Sequence, residues 1–222
     1  MNDVSHVTSD LGQHFAMHLS AIANDIDRVE VEALWQAVAT RYNEAHRAYH
    51  TLHHLKQLFA QFEQVKHNLY EPHIIALALY YHDVIYEPTW ADNELKSADY
   101  AVEALRKYLS AEQCQHIYAL IMMTATHQLD ELTDNDKCSD AAYLLDMDLS
   151  VLGAVWSEYE PYASAVRKEY AHVPATDYRV GRTAVLKGLL AHPRLYLTDY
   201  YFERLEEQAR DNIKRELTSL AA

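Results

Sequence analysis

The chain has 222 residues and half of them are apolar, so it can form one domain with a sizeable core and is neither a disordered tail nor a fibre. It contains only 4 glycines and 5 prolines, too few turn-forming residues for a fold with many hairpins. Its formal charge of −14 repels phosphate backbones, which argues against broad nucleic-acid binding and against anionic membranes.

No membrane or secretory signal is visible. The longest apolar run, residues 74–81, is far shorter than the roughly 20 residues that cross a bilayer. The N-terminal residues lack the basic and apolar regions of a signal peptide, and Cys114 and Cys138 do not make a disulfide framework. We therefore expect a cytoplasmic protein without a membrane partner, and the oligomeric state is not predicted.

Hydrophobic periodicity predicts an all-α fold, a multi-helix bundle in a single domain. In chain order, the helices are predicted over residues 11–23, 29–43, 49–68, 72–85, 93–109, 111–128, 141–173, 177–191 and 199–220, with the seventh breaking near Gly153 or Pro161. The loops over 86–92 and 129–140 are the two expected to shape a site.

Histidine is unusually frequent, with 14 copies, and it is the commonest metal ligand among the side chains. The functional question is which of these histidines converge. Five of them are expected to be incidental: His6, His14, His18, His67 and His192.

The predicted helix 49–68 carries the first candidate pair. Its apolar residues form one arc, with His54 at the edge of the arc and His50 just beyond it, whereas His53 falls on the solvent side. His50 and His54, at i and i+4, can therefore both face an interior site, although two surface histidines would show the same spacing.

The predicted helix 72–85 is apolar on every side, which indicates a central, buried position. It ends in the adjacent pair His82 and Asp83. A carboxylate there must be paired, hydrogen-bonded or bound to a metal, because an isolated buried charge is very costly. A simple buried His–Asp pair and a helix end in water both remain open.

Two further helices end in polar residues after apolar runs. Asp146 and Asp148 are about 200° apart on a helix, so that only one of them can face a given metal. His127 closes the helix over 111–128, where a histidine is often only a C-terminal cap.

Together these residues give the order His…His-Asp…Asp, with 28 residues from His54 to His82 and 65 from Asp83 to Asp148. Nitrogen and oxygen ligands of this kind suit a divalent transition metal, and Mn, Fe, Zn, Ni and Co are all feasible.

This ordered pattern resembles the HD-domain metal-dependent phosphohydrolases, and the small bacterial members of that superfamily most of all. The strings YHxxxHL, HDxxY, NExxSA and DxDLxxLG begin at Tyr49, His82, Asn93 and Asp146, respectively. The first and last are also similar to the YHxxxH and ADLS strings of cyclic-nucleotide phosphodiesterases. The resemblance implies a single HD-type domain over residues 1–222, with its core in 30–220.

The family implies an enzyme that cleaves a phosphoester of a small molecule, such as a nucleotide, with metal-activated water. It also implies two catalytic residues, with His50 donating a proton to the leaving oxygen and Asp83 positioning the nucleophile. The metal ligands it implies are His54, His82, Asp83 and Asp148, with His127 binding a second metal, such as Mg, or a phosphate.

Other residues are candidates for substrate contacts or for support of the metal ligands. Glu94 and Ser97 lie at i and i+3 on the next helix. Arg167 and Arg182, together with Lys168 and Arg179, are candidate phosphate clamps.

The chain also departs from the phosphodiesterases. It lacks the further His that follows their HD pair, and no purine clamp is identifiable, which leaves the full two-metal site and cyclic-nucleotide specificity in doubt. One alternative is a di-iron oxygenase of the HD type, in which His127 with His116 or His50 would hold the second iron. The other is a metal-stabilised regulatory module without activity.

Overall fold

The computed structural model describes residues 2–129 and 134–221. Over those ranges the chain forms α-helices and two short 3₁₀ helices, Lys66–Asn68 and Leu149–Gly153, with no β-strand, which confirms the predicted all-α class. The α-helices are α1 (Asn2–Ile22), α2 (Arg28–Tyr42), α3 (Leu52–Val65), α4 (Pro72–Tyr81), α5 (Asn93–Leu105), α6 (Ala111–Thr124), α7 (Asn135–Asp148), α8 (Trp156–Glu169), α9 (Ala175–Ala191) and α10 (Asp199–Ala221).

The predicted start of the third helix is wrong. α3 begins at Leu52, not at residue 49, because the Thr51 side chain accepts a hydrogen bond from the backbone N–H of His53 and caps the helix. His50 therefore lies in the bend before α3, and it does not share a helix with His54.

Other boundaries differ as well, and the first helix begins at Asn2, nine residues before its predicted start. The predicted helix 72–85 ends at Tyr81, and His82 is its C-terminal cap. The predicted helix 141–173 breaks at the 3₁₀ turn Leu149–Gly153, as expected near Gly153, whereas Pro161 lies inside α8. The loop 86–92 is present, but residues 130–133 of the loop predicted over 129–140 lie outside the described residues, and α7 begins at Asn135.

The chain divides into two compact units, residues 1–144 and 145–222, with the boundary inside α7. The expectation of a single HD-type domain stays a prediction. No helix in the described part of the chain combines the length and the apolar character needed to cross a membrane.

The centre of the first unit is α4, whose residues from Ile74 to Tyr81 are all buried. It packs against α1, α3, α5 and α6, which explains why it is apolar on every side. Burial of each large side chain contributes about 1.5–3 kcal/mol, and the Tyr80 hydroxyl is satisfied because it donates to the carbonyl of Leu11 at 2.8 Å. α4 is thus a fixed support for the two residues that follow it.

Polar contacts fix the start of α4. The Nδ1 atom of His116, on α6, lies 3.0 Å from a carboxylate oxygen of Glu71. Asp140, on α7, accepts hydrogen bonds from the backbone N–H groups of Tyr70 at 2.9 Å and Glu71 at 2.8 Å. Three helices of the first unit are therefore joined at this end of α4.

In the second unit, α10 packs against the 3₁₀ turn Leu149–Gly153. The side-chain amide of Asn212 donates to the carbonyls of Leu152 at 2.8 Å and Ala154 at 2.7 Å. A Cβ atom at Gly153 would lie only 2.5 Å from Cβ of Leu205, so this close approach requires glycine.

Candidate metal centre

The first ligand candidate is His54, in the first turn of α3. Its side chain is 1% exposed, whereas the neighbouring His53 is exposed, as the helical periodicity predicts. The apolar face of α3, which includes Leu55 and Leu58, is buried with His54 and fixes the rotation of the helix about its axis.

His82 follows the last turn of α4 and is 2% exposed. Its Nδ1 atom lies 2.8 Å from the carbonyl oxygen of Leu79. Since a carbonyl can only accept, Nδ1 carries the proton, and Nε2 of the neutral ring presents a lone pair. This Nε2 lies 3.3 Å from Nε2 of His54.

The carboxylate of Asp83 completes this part of the site. Its Oδ2 atom lies 3.0 Å from Nε2 of His82 and 3.9 Å from Nε2 of His54. Nε2 of His82 and Oδ2 of Asp83 therefore lie in one small volume next to Nε2 of His54. Either a proton shared among these groups or a metal cation would balance their lone pairs. The donor set thus fits a divalent metal.

Asp148 is the last residue of α7 and belongs to the second unit. Its role as a metal ligand stays a prediction, whereas His54, His82 and Asp83 meet within the first unit. Two imidazole nitrogens and a carboxylate suit Zn, Fe, Mn, Co or Ni. The group could hold a metal ion, and its composition does not determine which one.

The other carboxylate of this segment, Asp146, is bonded elsewhere. It accepts hydrogen bonds from the backbone N–H groups of Leu197 at 2.7 Å and Thr198 at 2.8 Å, and from the Thr198 hydroxyl at 2.6 Å. Burial raises the pKa of Asp146 to about 6, although these donors oppose the shift. The expectation that only one of the two carboxylates can serve a metal agrees with this arrangement.

His50 lies beside the ligands, in the bend before α3. Its Nε2 atom is 3.8 Å from Oδ2 of Asp83, and its ring centroid is 5.9 Å from that of His54. The ring of Tyr86 lies against it at a centroid distance of 4.1 Å. His50 is thus close enough to exchange a proton with a group bound at Asp83.

Arg47 was not found by sequence reasoning. Its side chain is fully buried, and it donates to the carbonyl oxygens of His50 at 3.1 Å, Asp83 at 2.7 Å and Val84 at 3.0 Å. The guanidinium lies over the ring of Tyr86, 5.5 Å from its centroid. One side chain therefore joins the bend of His50 to the turn of Asp83.

The predicted residues on α5 lie next to this turn. Ser97 is buried, and its hydroxyl accepts from the N–H of Ile85 at 3.0 Å and donates to the carbonyl of the same residue at 3.1 Å. It supports the backbone two residues after Asp83. Glu94 is half-buried in the first turn of α5, where an acidic side chain interacts favourably with the helix dipole.

His127 follows the end of α6 and has a positive φ of 50°. Its position along α6 can be compared with that of His82 along α4, because the two helices pack together. His116 contacts Glu71, and each is followed 11 residues later by His127 and His82, respectively. The role of His127 as a second-metal ligand or a phosphate contact stays a prediction.

The two arginines expected to bind phosphate are engaged within the second unit. Arg182 forms hydrogen bonds of 2.8 and 3.1 Å with the carboxylate of Glu216, and its side chain is only 9% exposed. Arg167 donates to the backbone carbonyls of Tyr170 and Val173, just after α8. Both guanidinium groups therefore make contacts within the fold of this unit, Arg182 with an acidic side chain and Arg167 with backbone carbonyls.

Comparison of the chain with protein-family models, with curated proteins and with solved structures finds no match. The local geometry of the site therefore carries the functional argument.

Proposed function

We propose that this chain is a metal-dependent phosphohydrolase of the HD-domain type, which cleaves a phosphoester of a small molecule such as a nucleotide. The observation that carries the proposal is the contact of His54, His82 and Asp83, in which two imidazole nitrogens and a carboxylate oxygen lie 3.0–3.9 Å apart. Asp148, at the end of α7, is the further carboxylate ligand that the resemblance implies.

Charge supports a metal at this position. The chain carries 33 acidic and 19 basic residues, so its overall field repels a phosphate. The nearby cation Arg47 already donates to three backbone carbonyls and to Glu44. A divalent cation on the His/Asp group would supply the positive charge that attracts the substrate.

When bound, such a cation lowers the pKa of a coordinated water and polarises a phosphoryl oxygen. The residues of the chain then have separate roles. His54, His82 and Asp83 would hold the cation, with Asp148 as the further ligand that the resemblance implies, and the Asp83 carboxylate would also orient the attacking water. His50, 3.8 Å from Asp83, donates the proton that the leaving oxygen needs.

The proposal is tested by metal analysis and a hydrolysis screen. We expect the chain loaded with Mn, Fe, Ni, Co or Zn to release phosphate or alcohol from a panel of nucleotides, phosphodiesters and sugar phosphates. Asp148→Asn should lose metal and turnover, whereas Asp136→Asn, an exposed change on the same helix, should lose neither. A metal-loaded wild-type chain that hydrolyses no ester of the panel would overturn the proposal.

The two alternatives give different results in the same experiment. Oxygen consumption by the iron-loaded chain would indicate a di-iron oxygenase, and bound metal without any turnover would indicate a regulatory module. His116 does not favour the oxygenase, because it contacts Glu71 before α4 whereas His82 follows this 10-residue helix, which is about 15 Å long.

A further inference from the structure

A cavity of about 550 Å³, a size common in small-molecule sites, lies in the first unit. The loop over residues 86–92 and one face of α5 form most of its wall, and the end of α2 with the bend after it forms the rest. Three aromatic residues line this aromatic cavity: Tyr86, Trp90 and Tyr100. Its loop is one of the two that were expected to shape a site.

The aromatic cavity borders the candidate metal centre through Tyr86. The ring of this residue lies against His50, with the ring centroids 4.1 Å apart. Nε2 of His50 in turn lies 3.8 Å from Oδ2 of Asp83, which Tyr86 follows by three residues. A substrate whose phosphate is bound at the His/Asp group therefore has the cavity beside it for the group that the phosphate carries.

Trp90 presents an aromatic surface to the cavity from a loop that hydrogen bonds fix. The side-chain amide of Asn93 accepts from the N–H of Glu87 and donates to its carbonyl, each at 3.0 Å, and the N–H of Trp90 donates to the same carbonyl at 2.9 Å. The Lys96 ammonium lies 4.8 Å from the centroid of the indole, yet Trp90 remains 49% exposed. A large aromatic side chain that is held in place without being buried gives a flat ligand a surface to stack on.

The charges of the lining favour a ligand that donates hydrogen bonds over one that carries negative charge. Four carboxylates line the cavity with two cations, and these six residues are Glu44, Glu87, Asp99, Glu103, Arg41 and Lys96. Both cations already have a carboxylate partner, Glu44 for Arg41 and Asp92 for Lys96. Asp99 is exposed on α5 and forms no hydrogen bond or ion pair within the described part of the chain. Carboxylates of this kind accept hydrogen bonds from the amino groups of nucleobases.

We propose that the aromatic cavity binds a nucleobase with an exocyclic amino group, such as cytosine or adenine. The base stacks on Trp90, and its amino group donates to a carboxylate of the lining such as Asp99. This assignment rests on the proposed function for the position of the phosphate, and it makes the substrate a nucleotide with an amino-bearing base. Uracil has a carbonyl oxygen where cytosine has its amino group, so a carboxylate at this place repels it.

Binding of nucleosides to the full-length, metal-free chain tests the proposal, because a nucleoside has no phosphoester and its binding does not depend on hydrolysis. In isothermal titration calorimetry, we expect cytidine and adenosine to bind, and uridine to bind about tenfold more weakly than cytidine or not at all. Trp90→Ala should weaken the binding of cytidine and adenosine by about tenfold, the usual contribution of one stacked base, and Trp90→Phe should retain most of it. Asp99→Asn should reduce the preference for cytidine over uridine, because an amide can donate to the uracil oxygen.

Tyr70→Ala is the matched control, since it removes an aromatic side chain that is 61% exposed and does not line the cavity. It should leave nucleoside binding unchanged. Trp90 is half exposed, so Trp90→Ala should keep the helical circular dichroism of the wild type. The proposal is overturned if neither cytidine nor adenosine binds, if uridine binds as tightly as cytidine, or if Trp90→Ala binds nucleosides as Tyr70→Ala does.

Steady-state kinetics separate a failure of this proposal from a failure of the proposed function. If the metal-loaded chain hydrolyses a nucleotide and Trp90→Ala leaves the KM unchanged, the hydrolase function holds and the base does not occupy the aromatic cavity. If cytidine binds as expected and no phosphoester is cleaved, the proposed function is wrong and the cavity remains a nucleobase site.

Discussion

His82 differs from an ordinary buried histidine in what its two nitrogens face. Leu79 fixes the proton on Nδ1, and Nε2 then meets a second imidazole and a carboxylate within 3.3 Å. The Nε2 atom of His54 can donate to Nε2 of His82 in one tautomer, and in the other tautomer both imidazoles present lone pairs to a cation. The geometry therefore fits a bound cation as well as a buried His–Asp pair, the two interpretations that the sequence left open.

The histidines around α3 provide a test that separates binding from catalysis. We expect His54→Ala to lose metal and turnover together, because it removes a ligand. His50→Ala should keep its metal but lose about 10²–10⁴-fold in kcat, the usual contribution of a general acid. Metal content and kcat are measured on the same preparations.

His53→Ala is the matched control on α3, because this side chain is exposed and next to His54. A nitrophenyl ester, whose leaving group needs little protonation, should partly rescue His50→Ala. Equal metal loss in all three variants would contradict the assigned roles, as would the absence of rescue by the activated ester.

Arg47 is a positioning residue in this scheme, and its replacement should disturb the site without removing a ligand. Lysine has a single compact charge and cannot donate to three carbonyls at once. We expect Arg47→Lys to lower the free energy of unfolding by about 2–4 kcal/mol, since buried carbonyls lose their donors. It should also lower kcat, because His50 and Asp83 are no longer held together.

Arg41→Lys is the control for that change. Arg41 pairs with the same residue, Glu44, at 3.1 Å, but its side chain is 43% exposed. Its replacement should change neither stability nor kcat measurably. If Arg47→Lys had the same free energy of unfolding and the same kcat as Arg41→Lys, the contacts by which Arg47 joins His50 to Asp83 would have no functional role.

At the scale of elements, hydrophobic periodicity predicted which side of each of two helices is buried. The apolar face of α3 gave the correct burial of His54 and exposure of His53, and the all-apolar run gave the central position of α4. Periodicity could not show that α3 starts at Leu52, because Tyr49 and His50 extend the same pattern into a bend. It also could not show Arg47, whose partners are backbone carbonyls from residues up to 37 positions away.

A glycine pair tests the packing of the elements in the second unit. Gly153→Ala should lower the free energy of unfolding by about 1–3 kcal/mol, because its new Cβ would lie 2.5 Å from Cβ of Leu205. Gly188→Ala, on α9 with no atom within 4 Å, should instead raise it by about 0.5–1 kcal/mol. Urea unfolding of both variants measures the two changes in the free energy of unfolding. If both changes had the same sign, the close approach of the 3₁₀ turn to α10 would be contradicted.

At the scale of the whole molecule, two buried groups give stability opposite dependences on pH. Asp146, in the second unit, has its folded-state pKa raised to about 6 by burial, above the unfolded value of 3.8. The protonated Asp146 carboxyl therefore contributes to the free energy of unfolding below pH 3.8, and this contribution is lost as the pH rises through 6. His18, in the first unit, has its folded-state pKa lowered from 6.5 to about 4. The sequence shows that these residues are present, but their pKa values depend on the packing around them, which the sequence does not show.

The acid sensitivity of the first unit should therefore depend on His18. Between pH 6.5 and 4 the unfolded chain binds a proton at this residue and the folded chain does not, so the stability that the neutral form contributes is present above pH 6.5 and is lost as the pH falls. At pH 5 this loss is about 2 kcal/mol, since each unit of pKa shift corresponds to about 1.4 kcal/mol.

His18→Leu removes the titrating group, so that the free energy of unfolding should decline less between pH 7 and pH 5. Urea unfolding at these two pH values, with chelator present, measures the decline. His6→Leu, an exposed change on the same helix, should keep the wild-type decline. A decline of the same size in His18→Leu would show that other groups control the acid limb.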